Sequence, residues 1–208
     1  QGTQNYKLTL GSDGSALTGY ADSSYADCVN TRRSTSGFLF KYKGGAISWK
    51  RSLQRTVSLS RAEAEYMALA TAAQEALYLK QLLTELQFIG NKDSNTAIQI
   101  FTENQAARAM AENNQSGQRA KHIQVRYHFV RQAVQEGEIQ VHYLKTNMQP
   151  ADIFTKPLSG SLLYRSARKM LNMVIIGMET DDTSFDKDGG NTENACETKD
   201  YKREDQFQ

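Results

Sequence analysis

The sequence predicts one mixed α/β domain built on a single sheet, and three observations support this. Short strand-like runs of aromatic and small residues occur at three places before residue 50. A long helical stretch follows, and strands and helices then alternate to about residue 173. With 208 residues, of which 39% are hydrophobic, the chain is long enough for one domain with a real core.

The predicted elements follow from local signals along the chain. The predicted strands cover 16–22, 37–42, 46–49, 96–103 and 138–144. Gly44 and Gly45 predict a tight turn between the second and third strands. The predicted helices cover 60–87, 105–112, 123–135, a short stretch from Pro150 to Pro157, and 161–173. Ser60 and Glu63 form the S-x-x-E capping signal of the first helix.

Both ends of the chain are predicted to lie outside this domain. We interpret residues 1–15 as an N-terminal arm or linker, residues 16–177 as the domain, and residues 178–208 as a disordered acidic tail. From Glu179 to Gln208 there are ten acidic residues and four basic ones, and too few large apolar side chains to offset the entropy of ordering. Since the chain begins with Gln1, we expect it to be a piece of a longer protein.

The remaining residues, 1–178, are strongly basic, with 21 basic and 13 acidic side chains. Eight lysines or arginines and no acid lie between Asp27 and Glu63. A basic body favours a polyanionic partner such as nucleic acid, although a solvated face that only keeps the protein soluble is equally compatible with charge alone. No apolar run is long enough to span a membrane, so we expect no membrane partner. Cys28 and Cys196 are too isolated for a disulfide framework or a zinc site.

Acidic residues are the candidates for chemistry, and the long helix distinguishes between two of them. Steps of three and four residues from Glu65 follow an unbroken apolar stripe to Leu86, whereas the same steps from Glu63 drift to polar residues and end at Glu85. We therefore expect Glu65 to face the sheet. A buried carboxylate is costly unless it is paired or bound to a metal, although a side chain in the first helical turn can also reach solvent.

Three further acids lie at the ends of predicted elements. Asp22 closes the first strand, Glu103 ends the fourth, and Asp152 lies in the first turn of the helix after Pro150, where it could simply complement the helix dipole. Together with Glu65 they suggest a carboxylate cluster that holds Mg²⁺, an ion that prefers hard oxygen ligands. Spacing alone also allows a fold without a ligand.

Seven motifs in a fixed order make the sequence specific. They are Y-A-D-S (20–23), T-R-R-S-T-S-G (31–37), A-I-S-W-K (46–50), S-R-A-E-A-E-Y-M-A-L (60–69), E-N-Q-A-A (103–107), K-H-I-Q-V-R-Y-H-F-V-R (121–131) and A-D-I-F-T-K-P-L (151–158). The series closely resembles the ribonuclease H domain of copia-type LTR retrotransposon Pol polyproteins over about residues 16–175. The resemblance implies a ribonuclease H-like fold, with a five-stranded mixed sheet flanked by helices. It also implies Mg²⁺-dependent endonucleolytic cleavage of the RNA strand of RNA–DNA hybrids.

Residue by residue, the resemblance makes Asp22, Glu65 and Asp152 three of four catalytic and metal-binding carboxylates. The fourth position departs from the pattern, because the family usually reads D-N-Q where this chain has Glu103 before Asn104. Glutamate keeps the carboxylate but reaches one methylene further, and a site for two metal ions tolerates displaced ligands poorly.

The resemblance implies two Mg²⁺ ions as cofactors, with Mn²⁺ as a substitute, and an RNA–DNA hybrid as substrate. It also implies the reverse transcriptase domain of the same polyprotein as partner, and an intracellular location in a cytoplasmic virus-like particle. The alternative is a catalytically decayed domain that acts as a nucleic-acid-binding or structural module, for which Glu103 is the sequence support. Besides Arg119 and Arg131, we expect these residues to contact nucleic acid: Arg32, Arg33, Lys50, Arg51, Asn104, Gln105, Lys121, His122, Arg126 and His128.

Overall fold

A computed structural model describes residues 6–8, 11, 14–90, 95–112, 121–158, 160 and 173–175. Strands and helices alternate along this part of the chain much as the sequence predicts. The strands are β1 (Tyr6–Leu8), β2 (Thr18–Ser24), β3 (Thr35–Tyr42), β4 (Gly45–Leu53), β5 (Ile98–Thr102), β6 (Ile139–Tyr143) and β7 (Met173–Ile175). The helices are α1 (Arg61–Glu85), α2 (Gln105–Glu112), α3 (Lys121–Gln135) and α4 (Asp152–Thr155), with a 3-10 turn over Thr146–Met148.

Five of these strands form one mixed sheet in the order β4-β3-β2-β5-β6. The first three are antiparallel neighbours, with a tight turn between β3 and β4 and a longer loop over residues 25–34 between β2 and β3. Strands β5 and β6 run parallel to β2, which places the carboxyl ends of β2, β5 and β6 at the same edge. The predicted five-stranded mixed sheet flanked by helices is confirmed.

Helix α1 covers one face of the sheet and α4 lies on the other. Phe38 and Phe40 of β3 join the α1 side of the core, whereas Leu39 between them packs with Ile153 and Phe154 of α4. Alternate residues of a strand point to opposite faces, so one strand supports both layers. The α1 stripe that starts at Glu65 is buried as far as Leu83, and its last member in the sequence prediction, Leu86, is exposed.

The structure differs from the predicted elements in three places. Strand β2 continues to Ser24, so that Asp22 lies inside the strand rather than at its last residue. Pro150 precedes α4 instead of lying in its first turn, because helical backbone starts at Asp152. Strand β1 pairs antiparallel with β7, although the sequence predicts a linker before residue 16 and a helix up to residue 173.

The rest of the predicted helix over 161–173 and the acidic tail lie outside the described residues. The chain divides into two units, Gln1–Ile176 and Gly177–Gln208, of which the second contains no described residue. In the ranges given above, no helix combines the length and the apolar character needed to cross a bilayer.

The close contact between Gly19 of β2 and Phe40 of β3 generates a stability prediction. A Cβ at residue 19 would lie 2.5 Å from Phe40 Cε1, on a ring that is wholly buried. We expect Gly19→Ala to lower the free energy of unfolding by about 1–3 kcal/mol through overpacking, as measured by urea denaturation. Gly14→Ala is the matched control, because nothing lies within 4 Å of a Cβ there. Equal stability of the two variants would contradict the packing argument.

Candidate active site

Two of the four predicted carboxylates meet because β2 and β5 run in parallel. Tyr20 is paired with Phe101 in the last rung that joins these strands, and Asp22 and Glu103 each follow two residues later on the same face. The rings of Tyr20 and Phe101 stack on each other at a centroid distance of 5.5 Å, next to the two acids. Asp22 is wholly buried, whereas Glu103 is partly exposed.

Asp152 is brought to the same place by the approach of α4 to the sheet. Buried Gln149 donates from Nε2 to the Ala21 carbonyl at 3.0 Å, which ties the segment before α4 to β2. Gly37 lets α4 come close, since a Cβ there would lie 2.8 Å from Phe154 Cβ. In the last turn of α4, the Thr155 hydroxyl donates to Asp22 Oδ2.

Glu65 lies near the start of α1 and faces the sheet, whereas Glu63, two residues earlier, takes part in capping the helix. Glu63 donates its own amide to the N-cap Ser60 Oγ at 3.1 Å, as the predicted capping signal requires, and its carboxylate accepts from the Leu59 amide at 2.9 Å, one residue before the N-cap. Glu65 is 6% exposed and lies over the sheet. Buried Gln54 holds this end of α1 by donating to the Ala64 carbonyl at 2.9 Å.

Three of the acids form a compact cluster, and a lysine lies against it. Asp22, Glu103 and Asp152 each offer a carboxylate oxygen, and these oxygens lie within 4.8 Å of one another. Lys156 Nζ lies 2.8 Å from Asp152 Oδ1, 3.1 Å from Glu103 Oε1 and 3.9 Å from Asp22 Oδ2. Glu65 is not part of this three-oxygen group. It lines, with Glu103 and Lys156, a cleft of about 340 Å³ beside the cluster.

Burial and mutual repulsion shift the pKa of Asp22, Glu65 and Asp152. Burial, despite the hydrogen bond from Thr155, raises the pKa of Asp22 to about 7, and burial followed by the charge of Asp22 raises the pKa of Glu65 to about 8. Burial also raises the pKa of Asp152. Burial alone would lower the pKa of Lys156, but its hydrogen bond to Asp152 and the surrounding carboxylates raise it to about 12. One ammonium therefore does not neutralise the four acids.

The carboxylates fit a divalent metal ion. Asp22 Oδ1, Glu65 Oε2 and Glu103 Oε2 are buried oxygens with no hydrogen-bond partner among the residues that the structure describes. An unpartnered buried carboxylate oxygen is costly, and a hard cation satisfies it directly. Donor type, excess negative charge and unpartnered oxygens all favour a hard divalent cation at this position.

The residues predicted to contact nucleic acid are distributed unevenly around the cluster. Asn104 lines the cleft, and its Oδ1 accepts from the Ala107 amide at 3.0 Å, so it also caps α2. Arg126 is half-buried and points Nη1 at Met67 Sδ, 3.2 Å away. The others whose side chains are described are exposed or half-buried: Arg32, Arg33, Lys50, Arg51, Gln105 and His128. Lys121 and His122 lie on α3, but their side chains, like all of Arg119, are outside the described part of the chain.

The structure corrects the expectation for Arg131. Its side chain is 7% exposed, donates from Nε to the Met110 carbonyl at 3.3 Å and lies over the Tyr127 ring at 5.8 Å. A guanidinium buried between α2 and α3 holds these helices together and is not available to a phosphate. The basic charge of a helix therefore did not by itself indicate the exposed face.

Sequence reasoning missed Thr155 and Lys156, both of which contact the cluster. The signal was present in A-D-I-F-T-K, because residues four apart share a helix face and Lys156 follows Asp152 by four. It also missed Ser23, Tyr25 and Thr146, which line the cleft beside Glu65 and Glu103.

Sequence comparison shows that the chain is similar to Pol polyproteins of plant transposons. It is 36% identical over 156 residues, 75% of its length, to the "Retrovirus-related Pol polyprotein from transposon TNT 1-94" of Nicotiana tabacum. It is 33% identical over 170 residues, 81% of its length, to the corresponding polyprotein from transposon RE1 of Arabidopsis thaliana. The chain is thus a homologue of the Pol polyproteins of copia-type retrotransposons, and it spans about a tenth of their length (11% in both cases).

Other comparisons are weaker. No protein-family model matches the chain. Among solved structures, RNase H1 from the halophilic archaeon Halobacterium salinarum is similar, with a TM-score of 0.47 and 13% identity. That similarity covers 67% of this chain and 94% of the archaeal one.

The raised pKa values of Asp22 and Glu65 generate a prediction about stability in a metal chelator. Because the folded protein binds these protons more tightly than the unfolded chain, stability is lost as the pH rises from about 4 through the folded values near 7 and 8. We expect the free energy of unfolding in EDTA to be lower at pH 8 than at pH 5 by at least about 2 kcal/mol, as measured by urea denaturation.

Asp22→Asn is the matched variant for this experiment, because it removes the charge with little change in shape. It should flatten the dependence and be more stable than the unmodified protein at pH 8. A pH dependence that Asp22→Asn leaves unchanged would show that the cluster is not its source.

Proposed function

We propose that this chain is a ribonuclease H that cleaves the RNA strand of RNA–DNA hybrids. The observation that carries the proposal is the convergence of Asp22 from β2, Glu103 from the residue after β5, Glu65 from α1 and Asp152 from α4. Carboxylates brought together at such a cost in repulsion and burial need a strong counter-charge. The homology to retrotransposon Pol polyproteins and the family motifs supply the substrate class.

In this mechanism Asp22, Glu103 and Asp152 would hold divalent ions between them, and Glu65 would complete the set from the cleft side. When bound, two such ions supply an activated water and neutralise the charge that develops on the leaving 3′ oxygen. The protein's own part is to fix the carboxylates. Thr155 orients Asp22 through its hydroxyl, and the N-cap role of Asn104 fixes the backbone that follows Glu103.

Recognition of the hybrid is the second part of the proposal. Exposed basic groups, including Lys50 and Arg51 on β4, would contact phosphates, and Arg61 lines the cleft itself. Cleavage of RNA and not DNA requires contact with a 2′-hydroxyl. Thr146 is exposed and lines the same cleft, so its hydroxyl is suited to that contact.

The polyprotein homologues suggest where the domain works. We propose that it acts beside the reverse transcriptase of the same polyprotein, inside an intracellular particle, where the hybrid is made. If so, hybrid cleavage and reverse transcription should co-purify in particles from cells that express the full polyprotein, and cleavage that fractionates separately would contradict this.

A gel assay of an end-labelled RNA–DNA hybrid tests the central proposal. We expect cleavage of the RNA strand in Mg²⁺, none in EDTA, none of a DNA duplex, and none with Asp22→Asn. Tight hybrid binding without cleavage in either Mg²⁺ or Mn²⁺ would instead establish the decayed, nucleic-acid-binding alternative.

The different positions of Glu65 and Glu63 generate the next prediction. Glu65→Gln removes a buried carboxylate at the cleft and should lower the cleavage rate at least about 100-fold. Glu63→Gln is the matched control two residues away, since a glutamine can still accept the capping hydrogen bond. It should retain the rate within about twofold. If both variants fold and their cleavage rates fall equally, the assignment of Glu65 to the active site is contradicted.

The unusual glutamate at residue 103 generates a prediction about metal requirement. Glu103 accepts from Lys156 with Oε1, while its Oε2 is buried and has no partner in the described part of the chain, so the longer side chain leaves one oxygen for a metal ion. We expect Glu103→Asp to lower the Mg²⁺ concentration for half-maximal cleavage by at least about twofold and to raise the maximal rate. An equal or slower variant would show that the glutamate already coordinates well.

A further inference from the structure

The contacts of Lys156 raise a question that the proposed nuclease mechanism does not answer. Its ammonium lies 2.8 Å from Asp152 Oδ1 and 3.1 Å from Glu103 Oε1, and 3.9 Å from Asp22 Oδ2. These are the same three residues whose oxygens are close enough to hold a single metal ion. The ammonium and a divalent cation would therefore bind to the same carboxylates.

The two cations cannot share this position at low cost. Unit charges of the same sign a few ångströms apart repel strongly in a partly buried site, and a divalent ion doubles that repulsion. Each oxygen that donates its lone pairs to the ammonium also has fewer left for a metal. Occupation by the metal thus requires that the ammonium move away.

The local structure gives Lys156 room to move. It is the C-cap residue of α4, where the backbone is extended, with φ −120° and ψ 142°, so its side chain can turn without disturbing the helix. The side chain is 31% exposed and borders the 340 Å³ cleft with Ser24 and Thr146 on its wall. A flexible four-carbon stem can carry the ammonium from the carboxylates to the mouth of the cleft.

We propose that Lys156 is a tethered competitor of the metal ion, which pairs with Asp152 and Glu103 and is displaced into the cleft when a divalent cation binds. The inference rests on the proposed function for the identity of the metal site. Displacement places a positive charge where a substrate phosphate arrives, and a phosphate that attracts Lys156 vacates the carboxylates. Metal and nucleic acid then favour each other's binding, and the effect is reciprocal.

Calorimetric titration of the protein with Mg²⁺ alone, without nucleic acid, tests the competition directly. Lys156→Met keeps most of the stem and removes the charge, and we expect it to bind Mg²⁺ about tenfold more tightly than the unmodified protein. Lys156→Arg keeps the charge and should bind no more tightly than the unmodified protein. Lys80→Met is the matched control, because Lys80 also pairs with a carboxylate, that of Glu138 at 2.6 Å, but is not in contact with the cluster.

Thermal unfolding at pH 8, first in EDTA and then in Mg²⁺, gives a second readout. Lys156→Met should melt at a lower temperature than the unmodified protein, since three acids lose their counter-charge, and Mg²⁺ should raise its melting temperature by more. If Lys156→Met does not fold, Lys156→Gln replaces it in both measurements with the same expectations.

The outcomes separate this inference from the proposed function. If the unmodified protein binds Mg²⁺ and Asp22→Asn does not, the metal site stands, and unchanged or weaker binding by the Lys156→Met variant overturns the competition alone. If neither the unmodified protein nor any Lys156 variant binds Mg²⁺, both proposals fail. Tighter binding by Lys80→Met to the same degree would also overturn the competition, because the effect would then come from net charge.

Discussion

The repulsion among four carboxylates at one edge of the sheet is the constraint on which the rest of the structure depends. Asp22 is wholly buried, and its ionised form is opposed by burial and by Asp152 and Glu103 nearby. A buried carboxylate of this kind is kept in place only where the packing of the surrounding fold stabilises more than burial and repulsion destabilise. The rigid elements around it, a central strand, a parallel neighbour, a long packed helix and a docked short helix, meet that requirement.

Each of those elements is held in place by contacts that do not involve the four carboxylates themselves. The α1 helix is fixed by its apolar stripe and, at its start, by the contact of Gln54 with the Ala64 carbonyl. Helix α4 has four residues and could not persist alone, so it depends on Gln149 and on the space left by Gly37. The precision of the site is therefore a property of the sheet and its two layers, and a loss of packing far from the acids would loosen it.

The sequence predicted the elements better than the contacts between them. Hydrophobic periodicity placed the inward stripe of α1 and favoured Glu65 over Glu63, because a periodic pattern reports which face is buried. It did not predict the pairing of β1 with β7, since three-residue strands carry no measurable period. It also assigned Arg131 to the surface, because charge in a sequence does not reveal a buried guanidinium paired with a carbonyl. The family motifs supplied the four acids, and the placement of Lys156 among them required coordinates.

A cation within an acidic site explains how such a cluster can exist before any metal arrives. Without Lys156, Thr155 would still favour the charged form of Asp22 and Ser23 that of Glu65, but the four carboxylates would otherwise depend on protonation, which becomes costly as the pH rises. One tethered ammonium lowers the repulsion enough for α4 to dock, yet it leaves excess negative charge that still attracts a divalent ion. The same residue thus contributes to folding and limits metal affinity, and the two effects are inseparable because they arise from one set of oxygens.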